Sequence, residues 1–477
     1  MLFSSRVAVV ALAVSAALTF NATAATAFDT GPHASMTIDA VMRVGFSKSA
    51  ADVIQVENWL TDYYTSTITP ALTTAEQCEL EKLHFDDVFT TADATHYWAN
   101  LTANTKAAIQ KADRDDDPLE FFDALGISLH VLQDFYAHSN WVETLPVTPG
   151  QYSTATWFGT PNPPSTIHTG WYDNCLGIAE GTHTPHGGYT SGMNHDSVVR
   201  PNYDRAYVCG YAASYEWARN ALGWLSSAFK AKVLTYAPSA ADASDLAFDQ
   251  KASIYISEWI KNPAPTNGSM DGHWNGNGSG YPGGFALFAV TWVTKPSSIF
   301  VASFKNRKVY EALSKNLYTT MTATMPAMTS YPRTGTVFAM HTKSVYANSA
   351  ITGTDSYYGQ LVATNMFNGD SPYRDASMFH QPRTSVHWLQ LMFVQPGQGV
   401  VSMKYTLWNE FGNTNNDMVP INGTSKTLSF TCVTSTAACT GDVSGGPWTD
   451  ASPYTTTGSG TSGVKEIFYF TSSPAAP

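Results

Sequence analysis

The chain has 477 residues, a formal net charge of −12 and only 26 Lys and Arg side chains. Because phosphate contacts come mainly from Lys and Arg, this balance argues against a nucleic-acid binder and against adhesion to strongly anionic membranes. A zwitterionic or neutral surface is not excluded. The length suits two or three domains.

The first residues have the features of a secretory signal peptide. Arg6 supplies a positive charge, Val7–Leu18 is apolar, and Ala25-Thr26-Ala27 is a small-residue cleavage site. No later segment has the run of about eighteen apolar residues that a membrane-spanning helix needs. We therefore expect residues 1–27 to be removed and the mature protein to be secreted or periplasmic.

Helical patterning dominates the chain up to about residue 260. Ala51–Tyr64 carries apolar residues at helical spacing. Asp117-Pro118 is an N-cap followed by a first-turn proline, and predicts a helix that runs to about Trp141. The segments that follow are a Pro, Gly and Thr-rich loop and two further helical stretches: Thr144–Thr190, Tyr203–Leu234 and Ala240–Ile260.

The character of the sequence changes in the last third. A glycine-rich break at residues 262–284 precedes one further helical pattern at Lys305–Met321. Beyond residue 331, short apolar runs alternate with turn residues, which indicates strands. We predict a multi-domain α + β protein: an all-α helical domain (28–262), a Gly-rich linker with a connecting helix (263–330) and a C-terminal antiparallel β-sandwich (331–477).

Five cysteines are too few for a disulfide-rich scaffold. In an exported protein a local disulfide between Cys432 and Cys439 is plausible, because they bracket a short Ser/Thr/Ala loop. Cys175 and Cys209 are a candidate second pair, which would leave Cys78 free.

The main chemical feature is a set of three polar residues on the predicted helix after Pro118. His130, Asp134 and His138 are spaced by four, so their side chains stack along one helical face. Two imidazoles and a carboxylate on one rigid face suit zinc, which accepts nitrogen and oxygen ligands. The alternative is a helix with two surface histidines and a solvated aspartate.

Two upstream segments favour the metal interpretation. Gly31-Pro32-His33 lies close to the predicted mature N-terminus, and His84-Phe85-Asp86 follows a helical stretch. Taken singly, His33 would be an exposed terminal residue, and His84 with Asp86 would be ordinary loop polarity. Nine of the 13 histidines lie between His33 and His195, so the helical half is the histidine-rich half.

Together these segments resemble a known family. The order G-x-H-x-x-M-T, then H-F-D, then H-x-x-x-D-x-x-x-H-S-N-W is similar to the bacterial and fungal zinc metallophospholipase C group, which includes Het-C-like proteins. It is more distantly similar to the classical trinuclear-zinc phospholipases C and single-strand nucleases. The segment from Gly192 to Ser197 also resembles this group, so that the likeness covers residues 28–234.

The resemblance implies a metal site and its ligands. The implied ligands of two or three Zn²⁺ ions are His33, His84, Asp86, His130, Asp134, His138 and His195. We expect Asp86 to serve also as the base that takes a proton from metal-activated water.

One departure from the family pattern concerns the last helix. The classical enzymes end the site with a His and a Glu one helical turn apart, whereas Glu216 here has Ala212 four residues earlier. His195, His183 and His186 are the candidates to replace that pair. His96 is a further candidate ligand, with a half-buried helix histidine as its equal alternative.

The expected function is hydrolysis of a phospholipid such as phosphatidylcholine at the glycerol side of its phosphodiester. The expected partner is a phospholipid membrane surface; we expect no nucleic acid and no obligate protein partner. The alternatives are a secreted zinc-dependent nuclease on the same scaffold and a non-enzymatic lipid-binding protein with a structural metal. Asp355, Glu410 and Asp417 are candidate Ca²⁺ ligands in the C-terminal domain, where we favour ordinary polar loops.

Overall fold

A computed structural model of the chain describes residues 30–65, 74–172, 200–239, 307–320, 325–347, 355–365, 374–376, 388–411 and 415–477, and within 173–199 residues 175, 177, 181, 183–187 and 191–196. Helices form the first half of this part, and strands the second. The helices are α1 (Thr30–Val44), α2 (Lys48–Tyr64), α3 (Thr74–Glu81), a 3-10 turn (Lys82–His84), α4 (Thr91–Asp115), α5 (Pro118–His138), α6 (Trp141–Thr144), α7 (Tyr203–Gly223), α8 (Ser227–Leu234) and α9 (307–314).

The helix boundaries follow from capping chemistry. Asp117 accepts hydrogen bonds from the backbone N–H groups of Leu119 and Glu120, so α5 begins where the sequence predicts. It ends at His138, earlier than expected, because Ser139 is extended. The predicted Tyr203–Leu234 helix is two helices, since Ser226 caps a new start by accepting from Phe229 N.

Helix α5 is the centre of the helical half. Every residue from Phe121 to His138 is buried, and α2, α4 and α7 pack around it. A helix buried on all sides must be apolar or have its polar groups satisfied internally. The polar residues within this buried stretch are therefore forced to find partners inside the protein.

Gly126 permits the close packing of α5 on α2. A Cβ at this position would lie 2.6 Å from the Ile54 carbonyl oxygen and 2.8 Å from Glu57 Cβ. The close approach brings Asn58 of α2 within hydrogen-bonding distance of the α5 backbone, because its side-chain amide donates to the Gly126 carbonyl at 3.3 Å.

All strands of the described part except β1 lie beyond residue 325. The strands are β1 (Tyr152–Ser153), β2 (Gly335–Ala347), β3 (Asp355–Ala363), β4 (Arg374–Ala376), β5 (Trp388–Val394), β6 (Val400–Phe411), β7 (Asn415–Met418), β8 (Asn422–Gly423), β9 (Thr427–Val433), β10 (Cys439–Gly441), β11 (Tyr454–Thr455), β12 (Thr457–Gly458) and β13 (Val464–Ala476). One sheet has the order β1-β13-β2-β5, and another has the order β10-β9-β6-β3-β4.

The strand β5 contacts two different hydrophobic cores because its side chains alternate. Leu391 and Phe393 belong to the core of the helical half, whereas Met392 and Val394 belong to the core shared by the two sheets. The Tyr211 ring of α7 stacks on Phe393 at a centroid distance of 4.6 Å. The first sheet is therefore covered by helices on one face and by the second sheet on the other.

The α + β class is confirmed, and the described part of residues 30–239 also contains the short strand β1, which pairs with β13. No helix among the described residues is long and apolar enough to cross a membrane. The predicted signal peptide, the Ala240–Ile260 helix and the glycine-rich break lie outside the described residues. The division at residues 262 and 331 stays a prediction.

The disulfides correct one of the two predicted pairings. Cys432 is bonded to Cys439, as expected across the β9–β10 hairpin. Cys78 is bonded to Cys175 rather than being free, and Cys209 is the buried free thiol. The Cys175–Cys209 pairing was wrong because α7 turns Cys209 into the helical core, where its thiol faces the Ser153 carbonyl.

Glu466 of β13 should make stability depend on pH. It is fully buried, and Tyr405 and Thr342 donate to Oε1 at 2.8 Å each. Burial raises its pKa to about 7, although these hydrogen bonds oppose the rise. The folded protein therefore holds this proton at a pH where the unfolded chain has lost it. The free energy of unfolding should fall as pH rises from about 4.5 to about 7.

Glu466→Gln keeps the side-chain volume and removes this titration. Between about pH 5 and pH 8, the free energy of unfolding of the parent should fall by roughly 3 kcal/mol more than that of the variant. Urea unfolding at each pH measures this difference. Glu311→Gln is the control, because that side chain is 51% exposed. Equal pH slopes for the parent and Glu466→Gln would contradict the assignment.

Candidate metal centre

Three imidazoles converge on one carboxylate, Asp134 of α5. His33 Nε2 lies 3.1 Å from Asp134 Oδ1, while His84 Nδ1 and His130 Nε2 lie 3.0 and 3.1 Å from Oδ2. His33, His130 and Asp134 are fully buried, and His84 is 8% exposed. We call these four residues the first group. They come from α1, the 3-10 turn and α5, and folding brings His33 and His84 to the α5 pair His130 and Asp134.

The hydrogen bonds of Thr65 determine which ring nitrogen of His84 carries the proton. The Thr65 hydroxyl lies 2.7 Å from the Thr61 carbonyl, and since a carbonyl cannot donate, the hydroxyl proton points there. The same hydroxyl lies 2.6 Å from His84 Nε2 and must therefore accept a proton from it. Neutral His84 is then protonated on Nε2, and its Nδ1 lone pair faces Asp134.

Burial keeps the imidazoles of the first group neutral. Desolvation lowers the pKa of His33 to about 3, against a hydrogen bond to Gln133 that raises it, and lowers the pKa of His84 to about 4. The pKa of His130 is also well below its usual value, mainly through desolvation. Neutral imidazoles whose lone pairs face a carboxylate repel it unless a cation lies between them. This donor set fits a divalent ion such as Zn²⁺.

A second group of buried ligands lies next to the first. Asp86 Oδ1 is 3.1 Å from His138 Nδ1 and 3.8 Å from His186 Nε2. Asp196 completes this group, with Oδ1 3.3 Å from His138 Nε2 and Oδ2 3.7 Å from His186 Nε2. All four residues are at most 6% exposed. The groups adjoin, because the His84 carbonyl accepts from His138 Nδ1 at 2.9 Å.

One ligand atom from each of Asp86, His138 and His186 lies within 4.8 Å of the others. His138 and His186 each use Nδ1 to donate to a backbone carbonyl, of His84 and Gly187 respectively. Their Nε2 atoms, both Asp86 carboxylate oxygens and Asp196 Oδ1 are buried and form no hydrogen bond within the described part. Buried polar atoms without partners are costly, and a cation that binds them removes that cost.

Charge in the second group is set by its two aspartates. Desolvation opposes ionisation of Asp86, but the neighbouring His138 and His186 outweigh it, so that its pKa is lowered. Desolvation likewise lowers the pKa of His138, but Asp86 and Asp196 raise it well above its usual value overall. His138 therefore holds a proton that a bound metal ion would displace.

A strained turn separates His84 and Asp86 into the two groups. Phe85 and Asp87, on either side of Asp86, both have φ of 58°, a left-handed conformation that non-glycine residues rarely adopt. The Phe85 ring is held against Tyr97 at a centroid distance of 3.8 Å, and Asp87 Oδ1 accepts from Tyr172 N at 2.8 Å. These contacts offset a backbone cost of about 1–3 kcal/mol for each residue.

The loop that carries His186 is fixed by close backbone contacts. His186 N donates to the Trp171 carbonyl at 2.7 Å. A Cβ at Gly170 would lie 2.4 Å from His186 Cα, so only glycine fits there. The Cys78–Cys175 disulfide ties the same loop to α3.

The structure brings six of the seven predicted metal ligands into these two groups: His33, His84, Asp86, His130, Asp134 and His138. It places the seventh, His195, beside α6, because His195 Nδ1 donates to the Pro201 carbonyl and Nε2 faces Glu143 at 3.3 Å. Metal binding by any of the seven stays a prediction.

Other sequence candidates lie elsewhere. The His183 ring stacks on Phe89, with centroids 3.7 Å apart, while His186 belongs to the second group. Glu216 accepts hydrogen bonds from Thr156 and Tyr331, and so connects α7 to the two loops that carry those residues. Asp355, Glu410 and Asp417 lie on β3, β6 and β7, and their side chains lie outside the described part.

Sequence reasoning did not single out Asp196, which the structure places beside His138 and His186. It follows His195 in the same Gly192–Ser197 segment, in which sequence reasoning named only His195. The backbone decides between them: His195 N donates to the Ala137 carbonyl at 2.7 Å, and the two side chains then point to different neighbours.

Comparisons with known proteins give limited matches. The VWA7 N-terminal domain matches residues 65–152, which include five of the group members but less than half of the chain. No curated protein matches the sequence. The alpha toxin of Clostridium absonum has 11% identity and a TM-score of 0.16, covering 85% of this chain and 98% of its own. An alpha-toxin of Clostridium perfringens from an avian strain has 10% identity and a TM-score of 0.14, covering 85% and 97%.

Both TM-scores are too low to support an argument about fold or function. The similarity to these toxins is distant. None of these three matches names the Het-C-like group, and membership of that group stays a prediction.

Each group should bind its own ion. We expect the parent protein, loaded with Zn²⁺ and dialysed, to retain at least two ions per chain by elemental analysis. His130→Ala and His186→Ala should each lose about one, because each removes a ligand from a different group. His341→Ala is the control, since this half-buried histidine on β2 forms a hydrogen bond with Thr471 instead. Fewer than two ions in the parent, or equal contents in all variants, would contradict two separate sites.

The Cys78–Cys175 disulfide should support the second group. It closes a sequence separation of 97 residues, for which chain entropy predicts roughly 4–5 kcal/mol of stabilisation. Replacing both cysteines by serine should weaken Zn²⁺ binding at the second group more than at the first. The Cys432→Ser/Cys439→Ser variant is the matched control, because that pair lies in the β region. Equal metal affinities in the two double variants would exclude this role.

Proposed function

We propose that the protein is an exported, metal-dependent phospholipase C that cleaves the glycerol-side phosphodiester of a phospholipid such as phosphatidylcholine. The observation that carries this proposal is the pair of adjoining buried groups, which share α5 and together offer five imidazoles and three carboxylates. Adjacent divalent-ion sites of this composition are typical of phosphodiester hydrolysis. The motif order His33, then His84-Phe85-Asp86, then His130–His138 supports the same family.

The metal ions, two or three Zn²⁺, would supply hydroxide at neutral pH and offset charge on the phosphoryl oxygens. The protein's own residues prepare the site for this. Neutral His33, His84 and His130 offer nitrogen lone pairs without first losing a proton. Asp86 is ionised and is our candidate to accept a proton during the reaction.

Two features support export and a lipid surface. Two disulfides are typical of an oxidising compartment, in agreement with the predicted signal peptide. The net charge of −12 favours a zwitterionic surface over a strongly anionic one. We propose that the two-sheet region, a β-sandwich in this interpretation, contacts the lipid, with calcium there not favoured.

Two other functions would use the same site. A secreted nuclease would cleave the phosphodiesters of single-stranded nucleic acid, but the acidic balance disfavours it. A lipid-binding protein with a structural metal is the non-enzymatic alternative, and the full burial of His33, His130 and Asp134 favours it.

The test is the release of phosphocholine from phosphatidylcholine vesicles by the Zn²⁺-loaded protein. We expect a chelator to abolish release, and Asp134→Asn to lower kcat/KM by about 10²-fold or more, because the substituted amide disrupts the first group. His341→Ala should retain the parent activity. Parallel assays with single-stranded DNA separate the nuclease. Full activity in a His130→Ala/Asp134→Ala double variant, or no hydrolysis of either substrate, would overturn the proposal.

A further inference from the structure

The amide of Gln133 lies at the meeting point of four helices. It is fully buried on α5, one residue before Asp134. Its Nε2 lies 2.9 Å from Thr37 Oγ1 of α1 and 2.9 Å from Ser214 Oγ of α7. Its Oε1 lies 3.2 Å from Asn58 Nδ2 of α2 and 2.5 Å from His33 Nδ1 of α1.

Ser214 determines which way this amide faces. The Ser214 hydroxyl has one proton and donates it to the Gly210 carbonyl at 2.8 Å, within α7. Ser214 can therefore only accept from Gln133, and the Gln133 atom beside it must be the NH₂ group. Asn58 independently indicates the same orientation of the Gln133 amide. Its NH₂ group donates, so the Gln133 atom beside it must be the oxygen.

The orientation of Gln133 in turn determines the tautomer of His33. An amide oxygen only accepts, so His33 Nδ1 must carry the proton of the hydrogen bond. The lone pair of neutral His33 is then on Nε2, the atom that lies 3.1 Å from Asp134 Oδ1. Each step from the α7 backbone to His33 has a single assignment of donor and acceptor.

We propose that Gln133 is a positioning residue, set by Ser214, that holds His33 in the tautomer able to bind a metal through Nε2. Helix α7, where the family pattern would place a His and a Glu, contributes this hydrogen-bond relay to the first group. The inference rests on the proposed metal binding at His33. Groups of this kind, which bind a ligand rather than the metal, typically change metal affinity by about 10- to 100-fold when they are removed.

The first test is the His33 tautomer, read by ¹⁵N NMR of histidine-labelled, metal-free protein. We expect the parent to show His33 protonated on Nδ1. Gln133→Met removes the acceptor and should give a mixture of tautomers. A parent protonated on Nε2, or an unchanged single tautomer in Gln133→Met, would overturn the relay whether or not the protein binds metal.

The second test is Zn²⁺ affinity, measured by competition with a chromophoric chelator. We expect Gln133→Met to weaken binding at the first group by about 10- to 100-fold. Gln390→Met is the matched control, because Gln390 is equally buried but lies on β5. It should leave Zn²⁺ affinity unchanged.

Ser214 supplies a second pair of variants should Gln133→Met not fold. Ser214→Thr keeps the hydroxyl and should bind Zn²⁺ like the parent, whereas Ser214→Ala should bind more weakly. Equal affinities for these two would overturn the inference. A parent that binds no Zn²⁺ would instead overturn the proposed function, and the tautomer measurement still decides the relay.

Discussion

The burial of Asp134 on the central helix is the constraint on which the rest of the helical half depends. A carboxylate taken out of water is stable only if several partners compensate for its lost hydration. Here its neighbours are neutral imidazoles from α1, the 3-10 turn and α5 itself, whose lone pairs require a cation between them and the carboxylate. The elements packed around α5 must therefore bury apolar side chains and also leave room for partners of these polar groups. A divalent cation would be such a partner for both the carboxylate and the imidazoles.

The two groups differ in how they are built. The first is made of regular helices and a 3-10 turn, whose register is fixed by core packing and by close contacts such as that at Gly126. The second takes His186 and Asp196 from a loop that is held by backbone hydrogen bonds, a glycine contact and a disulfide. Loops of this kind are where specificity is usually carried, because they can vary without disturbing the core.

The β region is joined to the helical half through one sheet that serves both cores. Successive side chains of β2 and β5 lie on opposite faces of this sheet. Ala339 and Phe393 pack against the helices, whereas Phe338 and Met392 pack against the second sheet. The guanidinium of Arg43 on α1 donates to the Phe393 carbonyl at 2.8 Å, so that the helix carrying His33 is tied directly to β5.

Local sequence patterns were sufficient for the features that depend on neighbours along the chain. The Asp117-Pro118 cap, the shared face of His130, Asp134 and His138, and the strands beyond residue 331 follow from spacing and capping alone. Tertiary structure decided what depends on distant partners: the pairing of Cys78 with Cys175, the positions of Asp196 beside His138 and of His195 beside Glu143, and the contact between Gln133 and His33 across 100 residues. Periodicity determines which face of a helix a residue occupies, but only the packed fold determines what that face meets.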